Sequence, residues 1–363
     1  MITFGTISQE EFLSDYWQKK PLLIKQALPN FISPVSPDEL AGLSLEEEFE
    51  SRLVTGSTKD NRWSLTEGPF SEETFTDLPE TDWTLLVQGV DRFIPEVESL
   101  IDHFNFIPRW RLDDVMISYA VKGGSVGPHF DLYDVFLLQG GGRRRWALSC
   151  QYCNLDNYLA GVPLRIMEKF TAEQFFDVEP GDVLYIPPKI AHHGVSLDDD
   201  CTSLSFGYRS YSAKEMFEEL ADETDDRYYQ DPVWKTEGCP AHIPDSALRM
   251  ANKISEISAA SFAEFVTKLD PLDQQIRQQF EYQQQGVAFD PNTNYQLHPA
   301  CKIAYIEIDG KTCVFINGSL LDDDGIDKNS LITFCNQRDL AAADSLKLSQ
   351  RLFELNLIQE VGV

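Results

Sequence analysis

Two histidines and one aspartate carry the densest chemistry in this sequence: His129, Asp131 and, 63 residues later, His192. His129 and Asp131 are two apart in a run that reads as a strand, so their side chains should leave the same face. His192 lies just past an apolar strand at 183–188, and in a jelly roll strands that far apart can pack on one another. Two imidazoles and a carboxylate on one side of a metal make a facial triad, which leaves three adjacent positions open for an oxidising cosubstrate and O2. His-x-Asp alone is a weak signal, because most such pairs are ordinary surface residues. The context strengthens it. The chain has only six histidines, and Pro180-Gly-Asp-Val-Leu-Tyr-Ile-Pro187 precedes His192 as a turn, a short apolar strand and a proline stop.

The elements that must hold these residues are short strands. Val115, Ile117, Tyr119 and Val121 alternate with Met116, Ser118 and Ala120, a period of two. Residues 129–138 and 143–148 read as two strands joined by a glycine turn at 140–142, and 203–208 supplies one more. Many short strands with Gly/Pro turns predict a jelly roll or sandwich, not a parallel sheet. Upstream, Ser8 and Glu11 form a capping-box pattern for a helix with Phe12, Leu13, Tyr16 and Trp17 on its apolar face, stopped by Pro21. Residues 22–24 read as a strand, the acidic stretch 37–50 as helix, and 83–93 has helix-like spacing. After residue 211 the pattern is helical and acidic, over 213–224, 247–269 and 273–285. A polar break at 289–294 contains Pro291. Asp309–Gly310 and Asn317–Gly318 are hairpin signals beside alternating strands, followed by helical patterns at 330–337 and 340–355.

The chain has 363 residues, enough for two or three domains. Its 59 acidic and 30 basic residues give a net charge of −29, which disfavours nucleic acid and anionic membrane surfaces and attracts a basic partner. No stretch approaches the ~20 apolar residues of a membrane span. The N-terminus lacks the features of a secretory or transit signal, and seven thinly spread cysteines suit reduced thiols, so a cytoplasmic location is expected. Cys150 and Cys153 form a lone CxxC, too little for a zinc site, and His298 with Cys301 is too isolated to count.

The sequence resembles the JmjC-type, cupin-fold 2-oxoglutarate oxygenases, and within them the bacterial ribosomal oxygenases that hydroxylate arginine. The resemblance rests on Phe12…Tyr16-Trp-Gln-Lys-Lys-Pro-Leu-Leu-Ile-Lys25, Ser51-Arg-Leu-Val54, Trp83-Thr-Leu-Leu-Val-Gln88 and Asp113-Asp-Val-Met-Ile-Ser118. It continues through Gly127-Pro-His-Phe-Asp131, Tyr133-Asp-Val-Phe136, Gln139-Gly-Gly-Gly-Arg-Arg-Arg-Trp146 and the Pro180–Pro188 stretch, and covers most of residues 8–210. It implies an α+β protein: a double-stranded β-helix catalytic domain at 1–210, a helical dimerisation region at 211–288 and a winged-helix-like domain at 289–363. It also implies a homodimer using Fe(II), 2-oxoglutarate and O2 to hydroxylate the β-carbon of an arginine on the sixteenth large-subunit ribosomal protein, with CO2 and succinate as co-products.

The resemblance assigns roles to positions. His129, Asp131 and His192 match the metal ligands. The family usually shows one histidine where this chain has His192-His193-Gly194; alignment on His-x-Gly favours His192, and His193 would serve only after a register shift. Arg144 falls where the family keeps a basic residue for the far carboxylate of 2-oxoglutarate, and Ser118 where a hydroxyl joins it. Arg143–Arg145 could instead be a solvated basic run, though alternation puts Arg144 on the face opposite both neighbours. Asp114, Tyr133 and Ser205 match residues that hold the target arginine; Asp114 could otherwise be a cap opening a strand, Tyr133 a core aromatic and Ser118 a plain strand serine. Rival readings are a JmjC demethylase or a hydroxylase of another residue, a cupin hydrolase or isomerase, and a non-catalytic winged-helix interaction protein. The acidic run at 322–327 argues against DNA for the last.

Overall fold

A computed structural model describes residues 1–59, 61–162, 164–217, 227–235, 238–254, 256–323, 325–343 and 345–361. The chain divides into two compact units. One comprises Met1–Phe104, Leu112–Ser210 and Pro232–Lys235; the other comprises Asn105–Arg111, Tyr211–Asp231 and Thr236–Val363.

The first unit contains β1 (Leu22–Ile24), β2 (Ser51–Ser57), β3 (Arg62–Glu67), β4 (Trp83–Val87), β5 (Leu112–Ala120), β6 (Asp134–Gly141), β7 (Arg144–Ser149), β8 (Gln174–Val178), β9 (Val183–Ile186), β10 (Ala191–Ser196) and β11 (Cys201–Tyr208). Eight of them form one sheet in the order β1-β9-β6-β11-β5-β4-β2-β3, and β10-β7-β8 form another. Val135 and Leu137 of β6 and Leu184 and Ile186 of β9 pack with Trp146 and Leu148 of β7 and Val178 of β8, so the inner faces of the two sheets share one core. This is the expected double-stranded β-helix. On the outer face of the large sheet, Phe136 and Tyr185 stack on Trp17 and pack at steeper angles against Phe12. Phe12 comes from helix Gln9–Asp15, whose first turn is capped by the Ser8 hydroxyl accepting from the Glu11 N–H. The Pro-Gly-Asp turn has a steric reason. Gly181 has φ +86°, and a Cβ there would lie 2.3 Å from the Leu28 carbonyl oxygen. The next residue, Asp182, is buried and accepts from Lys25 Nζ and from the Gln26 and Glu179 N–H groups.

In this unit three expectations need correction. The 83–93 segment is not helical: it is β4 followed by a 3₁₀ turn at Val90–Arg92. β4 lies between β2 and β5 with four of its five residues buried, and a strand covered on both faces has no alternation to distinguish it from a buried helix. β6 begins at Asp134, so His129 and Asp131 precede the strand and do not sit in it. The helix expected over 37–50 occupies only Pro37–Leu43, behind a capping box of Ser36 and Glu39.

In the second unit, β13 (Ile303–Ile308) and β14 (Lys311–Ile316) form a hairpin extended by β15 (Ser319–Leu320), while β12 (Tyr295–Leu297) pairs with β16 (Ile358–Glu360). Both hairpin turns have two consecutive left-handed residues, Asp309–Gly310 and Asn317–Gly318, as the sequence signals require. The hairpin is buried on both faces. Ile303, Tyr305, Val314 and Ile316 pack against helices Lys328–Gln337 and Leu346–Glu354. Ala304, Ile306 and Phe315 pack against Asp245–Ala251 and Ala259–Thr267. The stretch expected as one helix over 247–269 is thus two, the second capped by Ser258. Helix Pro271–Gln283 follows. Of the helix expected over 213–224, Ala213–Met216 is present and 218–224 lies outside the described residues. Among the described residues no helix is long and apolar enough to cross a membrane.

Candidate active site

His129 and His192 meet by backbone pairing. Each donates its N–H to the other's carbonyl, at 3.0 Å from His129 and 2.7 Å from His192, an isolated antiparallel bridge between the loop before β6 and the start of β10. Cross-strand partners project to the same side, and the two rings lie 4.2 Å apart. The loop carries Asp131 to the same point: its backbone oxygen accepts from the Lys189 N–H, and its carboxylate stands 3.5 Å from His192 Nε2. One ligand atom from each of His129, Asp131 and His192 falls within 4.8 Å of the others.

The ring nitrogens are sorted by hydrogen bonding. His129 Nδ1 lies 3.0 Å from the Gly127 carbonyl and His192 Nδ1 3.0 Å from the Ile190 carbonyl. A carbonyl only accepts, so each Nδ1 carries the proton and each Nε2 keeps a lone pair for a metal. Burial, with the neighbouring His129 ring, pushes the His192 pKa down to about 4, so this imidazole is neutral at neutral pH. His193 faces the other way, as alternation along β10 requires, and packs edge-on against Phe170 with ring centres 6.1 Å apart. Gly194 completes the pattern. A Cβ there would come 2.6 Å from the Trp146 ring, which leans on β10 with its centre 5.8 Å from that of His192.

Arg143, just before β7, and Arg144 and Arg145, its first two residues, point alternately to the two faces. Arg143 pairs with Asp198 and Arg145 with Asp177, both on the surface. Arg144 turns inward and is 4% exposed. Its Nε donates to Cys201 Sγ at 3.4 Å, and its Nη2 is buried with no hydrogen-bond partner among the described residues. A buried guanidinium with an unmet donor is costly unless an acceptor arrives, and a carboxylate is the acceptor its fork matches. The donor set and this orphaned nitrogen therefore fit a metal together with a carboxylate cosubstrate. Ser118 is buried opposite Ser203 in the β5–β11 register, with its hydroxyl 3.5 Å from the Ser203 carbonyl.

A cavity of 270 Å³ opens beside the triad, lined by His129 and Asp131 and by Asp114, Tyr133 and Ser205. Asp114 is buried; its Oδ2 accepts from Gln88 Nε2 at 2.6 Å and from the Gly89 N–H at 2.8 Å. Burial raises its carboxyl to about 7, against the pull of Arg92 and with the help of Asp91 and Asp113. An arriving cation would favour the carboxylate form. Tyr133 stands at the mouth, 42% exposed, its phenol raised well above the usual value chiefly by the Asp131 carboxylate. Ser205 faces Met116 in register.

Arg52, Gln88, Met116, Arg165 and Gly207 also line the cavity, and sequence reasoning gave none of them a role. A usable signal existed for Arg52, a lone cation in the short strand stretch Ser51-Arg-Leu-Val54. Gln88 carries none, because it follows an apolar run, Trp83–Val87, whose spacing does not tell a buried strand from a helix. In sum, two imidazoles and a carboxylate stand beside a pocket containing a second, buried carboxyl group. That arrangement can hold a divalent metal next to a cationic side chain.

Residues 99–216 match the JmjC domain family. A ribosomal protein uL16 3-hydroxylase from Escherichia coli is 41% identical over 243 residues, 66% of this chain and 64% of the relative. A probable ribosomal oxygenase from Haemophilus influenzae is 44% identical over 206 residues, 56% of this chain and 50% of the relative. In sequence, the chain thus spans half to just under two thirds of these curated relatives. The structural likeness runs further. The X-ray structure of E. coli YcfD superposes with a TM-score of 0.72 at 30% identity over 98% of both chains. A structure of that ribosomal oxygenase with cobalt and 2-oxoglutarate gives 0.69 at 30% identity, over 98% of this chain and 99% of the other.

Proposed function

The chain belongs to the JmjC-domain ribosomal oxygenases, and from that membership we propose that it is an Fe(II)- and 2-oxoglutarate-dependent oxygenase that hydroxylates the β-carbon of an arginine in a basic ribosomal protein. The E. coli relative is named for uL16, and that protein is the proposed substrate here. The observation that carries the reading is Arg144: a buried guanidinium with an unpartnered nitrogen, in the same sandwich as an N,N,O ligand set.

His129, Asp131 and His192 would hold the metal, and Arg144 with Ser118 the far carboxylate of 2-oxoglutarate. When bound, iron and 2-oxoglutarate supply the O2 activation that places one oxygen on a C–H bond. The protein's own part is alignment. Asp114 would take the substrate guanidinium, Tyr133 would cover its stem at the cavity mouth and Ser205 would line the slot. Held at that end, the arginine would present its stem carbons toward the ligand face. A homodimer and a cytoplasmic location belong to the same proposal, as does exclusion of DNA by the −29 net charge.

A second reading has one observation behind it. Proteins named as bifunctional lysine-specific demethylase and histidyl-hydroxylase, such as one from Aedes aegypti at 25% identity, also match this chain. One experiment separates the two. Fe(II), 2-oxoglutarate and O2 are supplied with a uL16-derived peptide, its Arg→Lys version and a methyl-lysine version, and products are weighed by mass spectrometry. Gain of one oxygen on the arginine peptide alone is expected, because lysine keeps the charge but lacks the planar fork. Equal oxidation of Arg and Lys peptides overturns the arginine assignment, and loss of a methyl group moves the enzyme to the demethylase branch.

A further inference from the structure

The Asp114 carboxylate is held from one side only. Its Oδ2 receives both hydrogen bonds, from Gln88 and from the Gly89 N–H. Among the described residues Oδ1 receives none; it points toward Gly207 on the cavity wall, 4.0 Å from where a Cβ on that residue would lie. Gln88 is itself oriented by a third residue. Arg52 Nη2 donates to Gln88 Oε1 at 2.7 Å. A guanidinium can only donate, so the amide must turn its oxygen to Arg52 and its NH2 to Asp114. β2 and β4 pair Arg52 with Leu86, two residues before Gln88, which puts the two side chains within reach. The result is a relay, Arg52 to Gln88 to Asp114, in which one amide separates the cation from the acid. A direct Arg52–Asp114 pair would fill the acid's fork and leave nothing for a substrate cation.

We propose that Gln88 and Arg52 are positioning residues that fix the plane of the Asp114 carboxylate and thereby set the preference of the cavity for a guanidinium over an ammonium. This rests on the reading of Asp114 as the acceptor for the substrate arginine. The physical reason is directional. A planar fork binds well only when the carboxylate plane matches its own, whereas an ammonium is a compact point charge with rotatable donors and loses little when the acid turns. Oδ2 pinned and Oδ1 open is the state that favours the fork.

The test is Gln88→Leu, which keeps the side chain's bulk and removes both relay bonds, assayed on the full chain with Arg and Lys versions of the uL16-derived peptide. KM for the Arg peptide should rise about tenfold, in line with one lost charge-assisted hydrogen bond, with kcat changed far less. The Arg-over-Lys ratio in kcat/KM should fall, and the acid limb of kcat/KM should move to higher pH, because a donor to the ionised carboxylate is gone. Peptide-independent 2-oxoglutarate turnover should stay at the wild-type level, which separates this effect from general damage. Arg52→Met should reproduce the change and Arg52→Lys should restore most of it; these two decide the matter if Gln88→Leu does not fold. Unchanged KM, selectivity and pH limb in Gln88→Leu overturn the proposal, as does loss of peptide-independent turnover in parallel with KM in both Gln88→Leu and Arg52→Met. A wild-type protein that oxidises neither peptide overturns the functional reading itself, and the relay's role with it.

Discussion

His192 and His193 are adjacent in sequence and of one type, yet their surroundings differ completely. His192 Nδ1 is committed to the Ile190 carbonyl and its Nε2 faces Asp131, while His193 lies against Phe170 on the other face of β10. Removing the first takes away one of three ligand atoms; removing the second takes away a packing contact. Titration of the purified variants with cobalt or iron should therefore show binding lost in His192→Ala and retained in His193→Ala. The reverse result would mean that β10 shifts register when metal binds. Arg143, Arg144 and Arg145 give the same lesson. Three identical residues become two surface ion pairs and one buried, half-satisfied cation through alternation alone.

β11 is the strand most of the site depends on. It pairs with both β5 and β6, and so carries Ser203, Ser205 and Gly207 past Ser118, Met116 and Val135. Its register with β5 slips between Phe206 and Tyr208, a bulge beside the cavity that re-aims the strand at Gly207. A Cβ on Gly207 would lie 3.9 Å from Tyr133 Cε2 and 4.0 Å from Asp114 Oδ1, ordinary contact distances in this structure. Gly207→Ala should thus fold with little change in melting temperature. Its methyl would nevertheless stand between the phenol and the acid, in the space a substrate guanidinium needs. We expect KM for the arginine peptide to rise while metal binding and 2-oxoglutarate turnover hold. An unaltered KM would place the guanidinium elsewhere in the cavity.

At the scale of the whole molecule the decisive quantity is the charge of −29. Exposed charges are screened over ~10 Å at 0.1 M salt, so for the proposed basic substrate the field would guide encounter and add little to the final fit. For a uL16-derived substrate, kcat/KM should fall by about tenfold or more from low to high ionic strength while kcat stays level. A flat salt profile in stopped-flow binding would remove long-range attraction from the account and leave recognition entirely to the cavity.

The sequence by itself determined what local rules can reach. Period-two alternation put Arg144 on the face opposite Arg143 and Arg145, Asp309–Gly310 and Asn317–Gly318 announced their hairpins, and Pro180-Gly-Asp marked a turn; that Arg144 is the inward one is a tertiary fact. It also supplied the types and spacing of His129, Asp131 and His192. The mutual bridge of His129 and His192, the start of β6 at Asp134 and the strand identity of Trp83–Val87 were decided by the tertiary structure. So was the relay from Arg52 through Gln88 to Asp114. The physical reason is the range of the interactions. Alternation and turn chemistry act between residues a few positions apart, whereas strand register, burial on both faces and the partner of a buried amide are set by segments tens of residues away, and exist only once the sheets have closed.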